Sequence, residues 1–373
     1  MGPASKQYQE FALFIIKAIL ETQSTLPQME RMALLPDGLD LWRAVLDNTP
    51  NTPVDQLHPD LLELLRGCLI PTLSLDSEAR RAALEITSSY FLLIPKEFLS
   101  EQSFVTELLK SQATNLRFLK PDASAQVFEV VEQLVRAAED FAGVDGVRTI
   151  ANAMVKADFF QQLMLGLRES YEAHQMTGPK ARVSNVQGQV ETDFFALLAR
   201  LVYASPDILI ELVEMTSPGS LSGTMDWLLE EWFSHAQDMV SDPPRQKLMT
   251  MALSRLLTTC QPVILGRLQQ LMDLWISVIE SLTEGNEDKS VDSLVWSQQE
   301  GAFVASEGQS AGEARKAALQ ATDPVHIVNL KEVVKFAVGV VVEMSGGPEM
   351  FQTEWLVNVD KEIVQQFGTL DII

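Results

Sequence analysis

Cysteine, histidine and cationic side chains are scarce in this sequence. There are two cysteines and four histidines in 373 residues. Cys68 and Cys260 both sit in apolar, helical surroundings, which suits buried thiols in a reducing compartment. With two cysteines and the scattered histidines His58, His174, His235 and His326, no zinc-ligand spacing can be assembled, so neither a metal nor a cofactor is expected. Lys and Arg number 28 against 51 Asp and Glu, a net charge of −23. That balance supplies no excess of cations to displace counterions from phosphates, which argues against direct nucleic-acid binding and against an anionic membrane surface. Long apolar runs are missing as well: Phe11 to Leu20 is too short and too interrupted to span a bilayer. No Walker-type glycine loop occurs, and Gly143-Val144-Asp145-Gly146 and Gly346-Gly347 read as turns between helices. No histidine has a Cys or Ser partner at a nucleophile spacing, so no catalytic residue is assigned and the chain reads as a non-enzyme.

What is present is helical period, almost without strand alternation. The spacing predicts helices over 6–22, 37–48, 59–75, 77–94, 97–116, 122–140, 144–155, 157–175, 190–204, 206–216, 221–239, 243–260, 262–283, 325–344, 347–357 and 359–369. Short turns marked by Pro or Asp join them into antiparallel pairs. Asp76-Ser77-Glu78-Ala79-Arg80-Arg81 opens one helix with a capping Asp and a basic residue one turn in. Asp242-Pro243-Pro244-Arg245-Gln246-Lys247 repeats the arrangement, and Pro121-Asp122 gives a weaker copy. A capping Asp closes free N–H groups, and the basic residue can reach an acid on the next pair; in HEAT repeats this opens the second helix of a pair. The period of roughly 40 residues fits such arrays, and this many helices cannot share one bundle core. The expected class is therefore all-α, a HEAT-repeat superhelical solenoid of the armadillo-like kind.

Two segments interrupt the pattern. Residues 176–189, from Met176-Thr177-Gly178-Pro179-Lys180 onward, read as an exposed loop. Residues 284–322 are acidic and rich in Gly and Ser, with Glu284, Glu287, Asp288, Asp292, Glu300, Glu307 and Glu313, and read as a flexible insertion. Val291 to Trp296 and Phe303 are less typical of such a segment, and two readings stand: they dock on the solenoid, or they meet a partner. The expected layout is a cloning or protease scar at 1–5, a solenoid over 6–283, the insertion at 284–322, and terminal helices over 323–373. The apolar helix directly after the scar suggests a piece of something longer.

The candidate interaction site lies on the helix from Thr224 to Met239. Met225, Leu228, Leu229, Trp232, Phe233, Ala236 and Met239 form one core stripe. Trp227, Glu230, Glu231, Ser234 and Asp238 form the opposite one. A tryptophan flanked by carboxylates on an exposed face can hold a partner's Lys or Arg stem. The competing reading packs Trp227 on the neighbouring repeat. Trp42, Trp275 and Trp355 fall in apolar stripes and read as core, and His326 reads as part of a helix start. The acidity itself has two readings: solubility alone, or complementarity to a basic protein partner.

Particular stretches of sequence point further. Leu34-Leu35-Pro36-Asp37-Gly38-Leu39-Asp40-Leu41-Trp42 is followed by Leu46-Asp47-Asn48-Thr49-Pro50, then Tyr90-Phe91 with Glu97-Phe98-Leu99. Trp232 and Arg245-Gln246-Lys247-Leu248 come next. The series ends in Asp323-Pro324-Val325-His326-Ile327-Val328-Asn329-Leu330-Lys331-Glu332-Val333-Val334-Lys335 and Asp360-Lys361-Glu362-Ile363-Val364. In this order the chain resembles the carboxyl-terminal part of the importin-11 class of nuclear transport receptors, importin-beta-type karyopherins, and its fungal counterpart in particular. The resemblance implies a monomeric receptor that shuttles between cytoplasm and nucleus. It also implies basic protein cargo such as ribosomal proteins, contact with Phe-Gly nucleoporins, and Ran-GTP acting mainly through amino-terminal repeats missing from this chain. The alternative keeps only the repeat physics: a HEAT-repeat scaffold for assembling a complex outside nuclear transport.

Overall fold

The computed structural model describes residues 5–21, 26–178, 182–217, 219–238, 242–288, 290–295, 310–370 and 372. Among them no strand occurs and nineteen α-helices do. The chain divides into two compact units, Met1–Gln162 with Phe303–Gln320, and Leu163–Ala302 with Ala321–Ile373.

In the first unit α1 (Ser5–Leu20) packs on α2 (Gln28–Asn48), and α2 packs on α4 (Ser77–Leu93) beside α3 (Pro59–Leu73). The short α5 (Pro95–Ser100) and α6 (Gln102–Ala113) lead to α7 (Pro121–Lys156), which lies on α4 and α6. Trp42, Tyr90, Phe91, Phe98 and Phe128 are completely enclosed. Two of them carry polar tips, and these are satisfied in series: Trp42 Nε1 donates to the Tyr90 hydroxyl at 2.9 Å, which donates to the Leu61 carbonyl at 2.6 Å. Asp76 caps α4 by accepting from the Glu78 and Ala79 amides, as its position predicts.

The second unit begins within α8 (Phe159–His174) and continues through α9 (Gly188–Ala204), α10 (Pro206–Thr216), α11 (Leu221–Asp238) and α12 (Pro243–Leu257). After α13 (Pro262–Leu265) and α14 (Leu268–Thr283) the chain forms α15 (Ala311–Ala321), which belongs to the first unit up to Gln320, and the second unit resumes with α16 (Pro324–Ile327), α17 (Leu330–Met344), α18 (Pro348–Glu354) and α19 (Lys361–Gly368). Helix α12 is the hub of this unit, packed on α9, α14 and α17. Even its polar residues Gln246, Lys247, Thr250 and Ser254 are buried. Asp242 caps it, and Arg245 reaches Asp193 on α9 at 2.6 Å, the cross-pair bridge its position predicts. The corresponding Arg81 on α4 instead meets Glu85 on its own helix, while Arg80 turns back to the Leu73 carbonyl.

Several elements differ from the periodicity reading. Helix α2 starts at Gln28 and runs through Pro36, which removes one backbone hydrogen bond and crowds the preceding turn, while packing on α1 carries the helix on. Between 122–140 and 144–155 the expected break is present within α7: Gly143, at φ 58 and ψ −145, is not helical and separates two helices. Conversely, 97–116, 262–283 and 325–344 each divide in two. Trp355 is half-buried rather than core, and Cys260 lies past the end of α12 at φ 53, half-buried.

The acidic segment 284–322 holds more order than its composition suggests. Asp292 is buried and accepts from the Leu330 amide at 3.3 Å, and α15 forms at the far end. Arg315 of α15 is buried and donates to the Leu46 and Thr49 carbonyls at 2.9 and 2.7 Å, closing the carboxyl end of α2. Trp296, Glu300, Phe303 and Glu307, like Met239, Lys180 and residues 1–4 of the stretch 1–5 expected to be a scar, lie outside the described residues.

Candidate functional site

The helix α11 presents the expected apolar stripe: Met225, Leu228, Leu229, Trp232, Phe233 and Ala236 are buried. Of the two readings of the opposite stripe, the packed one holds for Trp227. Trp227 is only 8% exposed and Glu231 only 5%. Glu230 is half-buried, and Ser234 and Asp238 are exposed. The cause is α8, whose side chains cover this side of α11. The Trp227 ring centroid lies 5.8 Å from that of Tyr171, and the Arg168 guanidinium sits 5.2 Å over Trp227 and 5.5 Å over Tyr171. The cation slot imagined for a partner is filled by the chain's own arginine. Tyr171 donates to Glu230 at 3.4 Å, and Arg267 meets Asp226 at 2.6 Å.

Behind this stack lies a cluster that no local motif announces. Glu231 Oε1 is 2.6 Å from His174 Nδ1 at the end of α8 and 3.8 Å from His235 Nε2 one turn along α11. His235 Nε2 in turn lies 3.1 Å from Oε2 of Glu191 on α9. Phe195 walls the group, with its ring centroid 5.2 Å from His235 and 5.5 Å from Trp232. Burial pushes the Glu231 carboxyl above its usual range, and the hydrogen bond from His174 opposes that shift. Glu191 is 1% exposed, and its Oε1 has no hydrogen-bond partner. His174 and His235, scattered in sequence, meet here. Both are tied to buried carboxylates from other turns and other helices.

Glu230, Glu231 and Trp227 are brought together with His174, Tyr171 and Arg168, whereas Ser234 and Asp238 point to solvent apart from them. The sequence reading missed Glu191 and the pairing of the two histidines. One signal was available: Glu191-Thr192-Asp193 interrupts an otherwise apolar helical stripe, and buried acids require partners. The Asp323 segment has a structural place. Asp323 caps α16 and receives both Nη atoms of Arg200 on α9 at 2.8 Å each. His326 lies 3.4 Å from the Leu294 carbonyl.

Capped helix pairs stacked side by side and bridged by Arg–Asp contacts define a protein of the all-α helical-repeat class, HEAT-like in the placing of its caps. Residues 1–372 match the family model described as importin-11-like, TPR repeats, and the chain belongs to that family. It is 25% identical to importin-11 of Mus musculus, over 98% of this chain and 34% of that protein. To the importin beta-like protein kap113 of Schizosaccharomyces pombe it is 23% identical, over 98% of this chain and 33% of the relative. The chain therefore spans about a third of the length of the curated relatives it matches. Its fold is similar to that of Lph2, described as a novel bidirectional nuclear transport receptor in S. cerevisiae, with a TM-score of 0.72 at 20% identity, covering 99% of this chain and 37% of that one.

Proposed function

We infer that this chain is a carboxyl-terminal segment of a nuclear transport receptor that carries basic protein cargo, and that it acts by binding rather than by catalysis. The observation that carries the reading is membership of the importin-11-like family across residues 1–372. The net charge of −23 supports the cargo class. Asp226, Asp238 and Asp273 are exposed carboxylates on α11 and α14, Asp226 also meeting Arg267, and the hydrogen bond from Gln237 to Asp273 joins the two helices. They offer a basic partner more accessible charge than the covered Trp227. In this reading Ran-GTP engages repeats amino-terminal to the segment, the receptor is monomeric, and it shuttles between cytoplasm and nucleus.

Pore passage calls for pockets that accept phenylalanine. A cleft of about 200 Å³ between α1 and α2, lined by Tyr8, Ala12, Val45, Pro50 and Leu57, is a suitable size and polarity for one aromatic side chain. Two measurements test the reading. Titration of a basic ribosomal protein against the chain should give binding that weakens with salt, and the triple variant Asp226→Lys, Asp238→Lys, Asp273→Lys should weaken it about tenfold. Absence of binding at low salt would remove the cargo site from this segment. Phe-Gly peptides should bind wild type and fail against Val45→Asp. No binding to wild type would favour a scaffold outside transport.

A further inference from the structure

We propose that His174, Glu191 and Glu231 form a binding site for a divalent cation of the zinc type, at the junction of α8, α9 and α11. Each residue offers one donor atom, and the three donors lie within 4.8 Å of one another. Zinc binds imidazole nitrogen and carboxylate oxygen at about 2.0–2.2 Å, so donors in a tetrahedral shell sit about 3.4 Å apart. His174 Nδ1 and Glu231 Oε1 are 2.6 Å apart, and no pair of donors exceeds 4.8 Å, so the trio is compact enough to share one ion.

Three further observations support a ligand here rather than a self-sufficient ion pair. Glu191 is 1% exposed, yet its Oε1 has no hydrogen-bond partner. A buried carboxylate oxygen left unpaired is costly, and a cation removes that cost. Glu191 and Glu231 together place two negative charges in a site walled by Phe195 and Trp232, and one divalent ion neutralises both while leaving His174 neutral. His235 already bonds the other oxygen of Glu191 at 3.1 Å, the outer-shell arrangement that orients a ligating carboxylate. The side chain of His174 is 54% exposed, so it can turn aside to admit the ion and then close over it, with water completing the shell. An imidazole donor and few oxygens favour zinc over calcium or magnesium, which take six or more oxygen ligands or keep several waters.

The test is isothermal titration of Zn²⁺ into the whole chain after chelator treatment, followed by Co²⁺ as a spectroscopic probe. Expected are a single saturable site and visible d–d absorption from Co²⁺ in a low-symmetry shell. His174→Ala, at an exposed position that leaves the fold intact, should weaken Zn²⁺ binding by about tenfold or more, and Glu191→Gln should do the same. His58→Ala, in the other unit, should leave affinity unchanged. The proposal is overturned if Zn²⁺ shows no saturable site, or if His174→Ala binds as tightly as wild type. Either result would mean that the histidines and glutamates satisfy one another without metal.

Discussion

Lys247 has no exposed side-chain surface, and its ammonium is held by Asp292 at 2.8 Å and by the Val325 carbonyl at 2.7 Å. Burial lowers its pKa, and the bond to Asp292 works against that shift. The pair joins α12 to the acidic segment, so breaking one side should do more harm than removing both. Asp292→Ala should destabilise the chain by roughly 3–5 kcal/mol, because it strands a buried charge. Lys247→Met combined with Asp292→Ala should recover most of that loss, as read from denaturant midpoints. Cys68 makes a second prediction at this scale. Burial pushes its thiol from 9.0 to about 11. At pH 8 it then holds about a hundredfold less thiolate than an unperturbed thiol, and the thiolate is the nucleophile. Iodoacetamide labelling followed by mass spectrometry should show Cys68 alkylated about a hundredfold more slowly than a peptide cysteine. The rate should climb as pH rises towards 11.

Among the elements, α7 depends on its kink and α2 on its lid. Gly143 takes a positive φ that L side chains avoid, and a Cβ on Gly146 would stand 2.1 Å from the Ala138 carbonyl oxygen. Gly143→Ala should therefore cost about 1–2 kcal/mol through backbone strain. Gly146→Ala should cost more, since the kink must open to relieve the overlap; thermal melts of the two variants give the ranking. The break at Gly143 was visible in sequence as a glycine turn, because a positive φ is a demand met by that one residue. The lid is α15. Gly312 rests so close to Asp47 that a Cβ would approach its Oδ1 to 2.4 Å, and Arg315 caps α2 from outside. Arg315→Ala should strip the Thr49 carbonyl of its side-chain donor and leave the Leu46 carbonyl with the Thr49 amide alone, and hydrogen exchange over 311–321 should rise sharply while α9 stays protected. Composition marked this stretch as loose, for Gly, Ser and Glu dominate nearby. A single long-range arginine outweighs that local tendency.

For the molecule as a whole, charge is the property with the widest reach. At −23, attraction to a basic partner acts over the Debye length, about 10 Å at 0.1 M salt and 3 Å at 1 M. Association rates with a basic cargo protein, followed by stopped flow, should fall steeply over that range, while dissociation rates change less. Helix type and the caps at Asp76, Asp242 and Asp323 were legible in the chain, because each depends on residues within a few turns of one another. So was the family, through Leu34 to Trp42 and the Asp323 segment. The candidate site was legible only in part. Trp227 and its carboxylates stood out as a stripe, but whether that stripe faced water depended on α8, more than fifty residues upstream. The sequence by itself determined an acidic, all-α chain of capped helix pairs, since period, capping and net charge are local or additive quantities. Only the tertiary structure decided that Arg168 covers Trp227, that Lys247 finds Asp292, and that His174, Glu191 and Glu231 converge. Such partners lie tens of residues apart, and packing of the apolar stripes alone sets which of them meet.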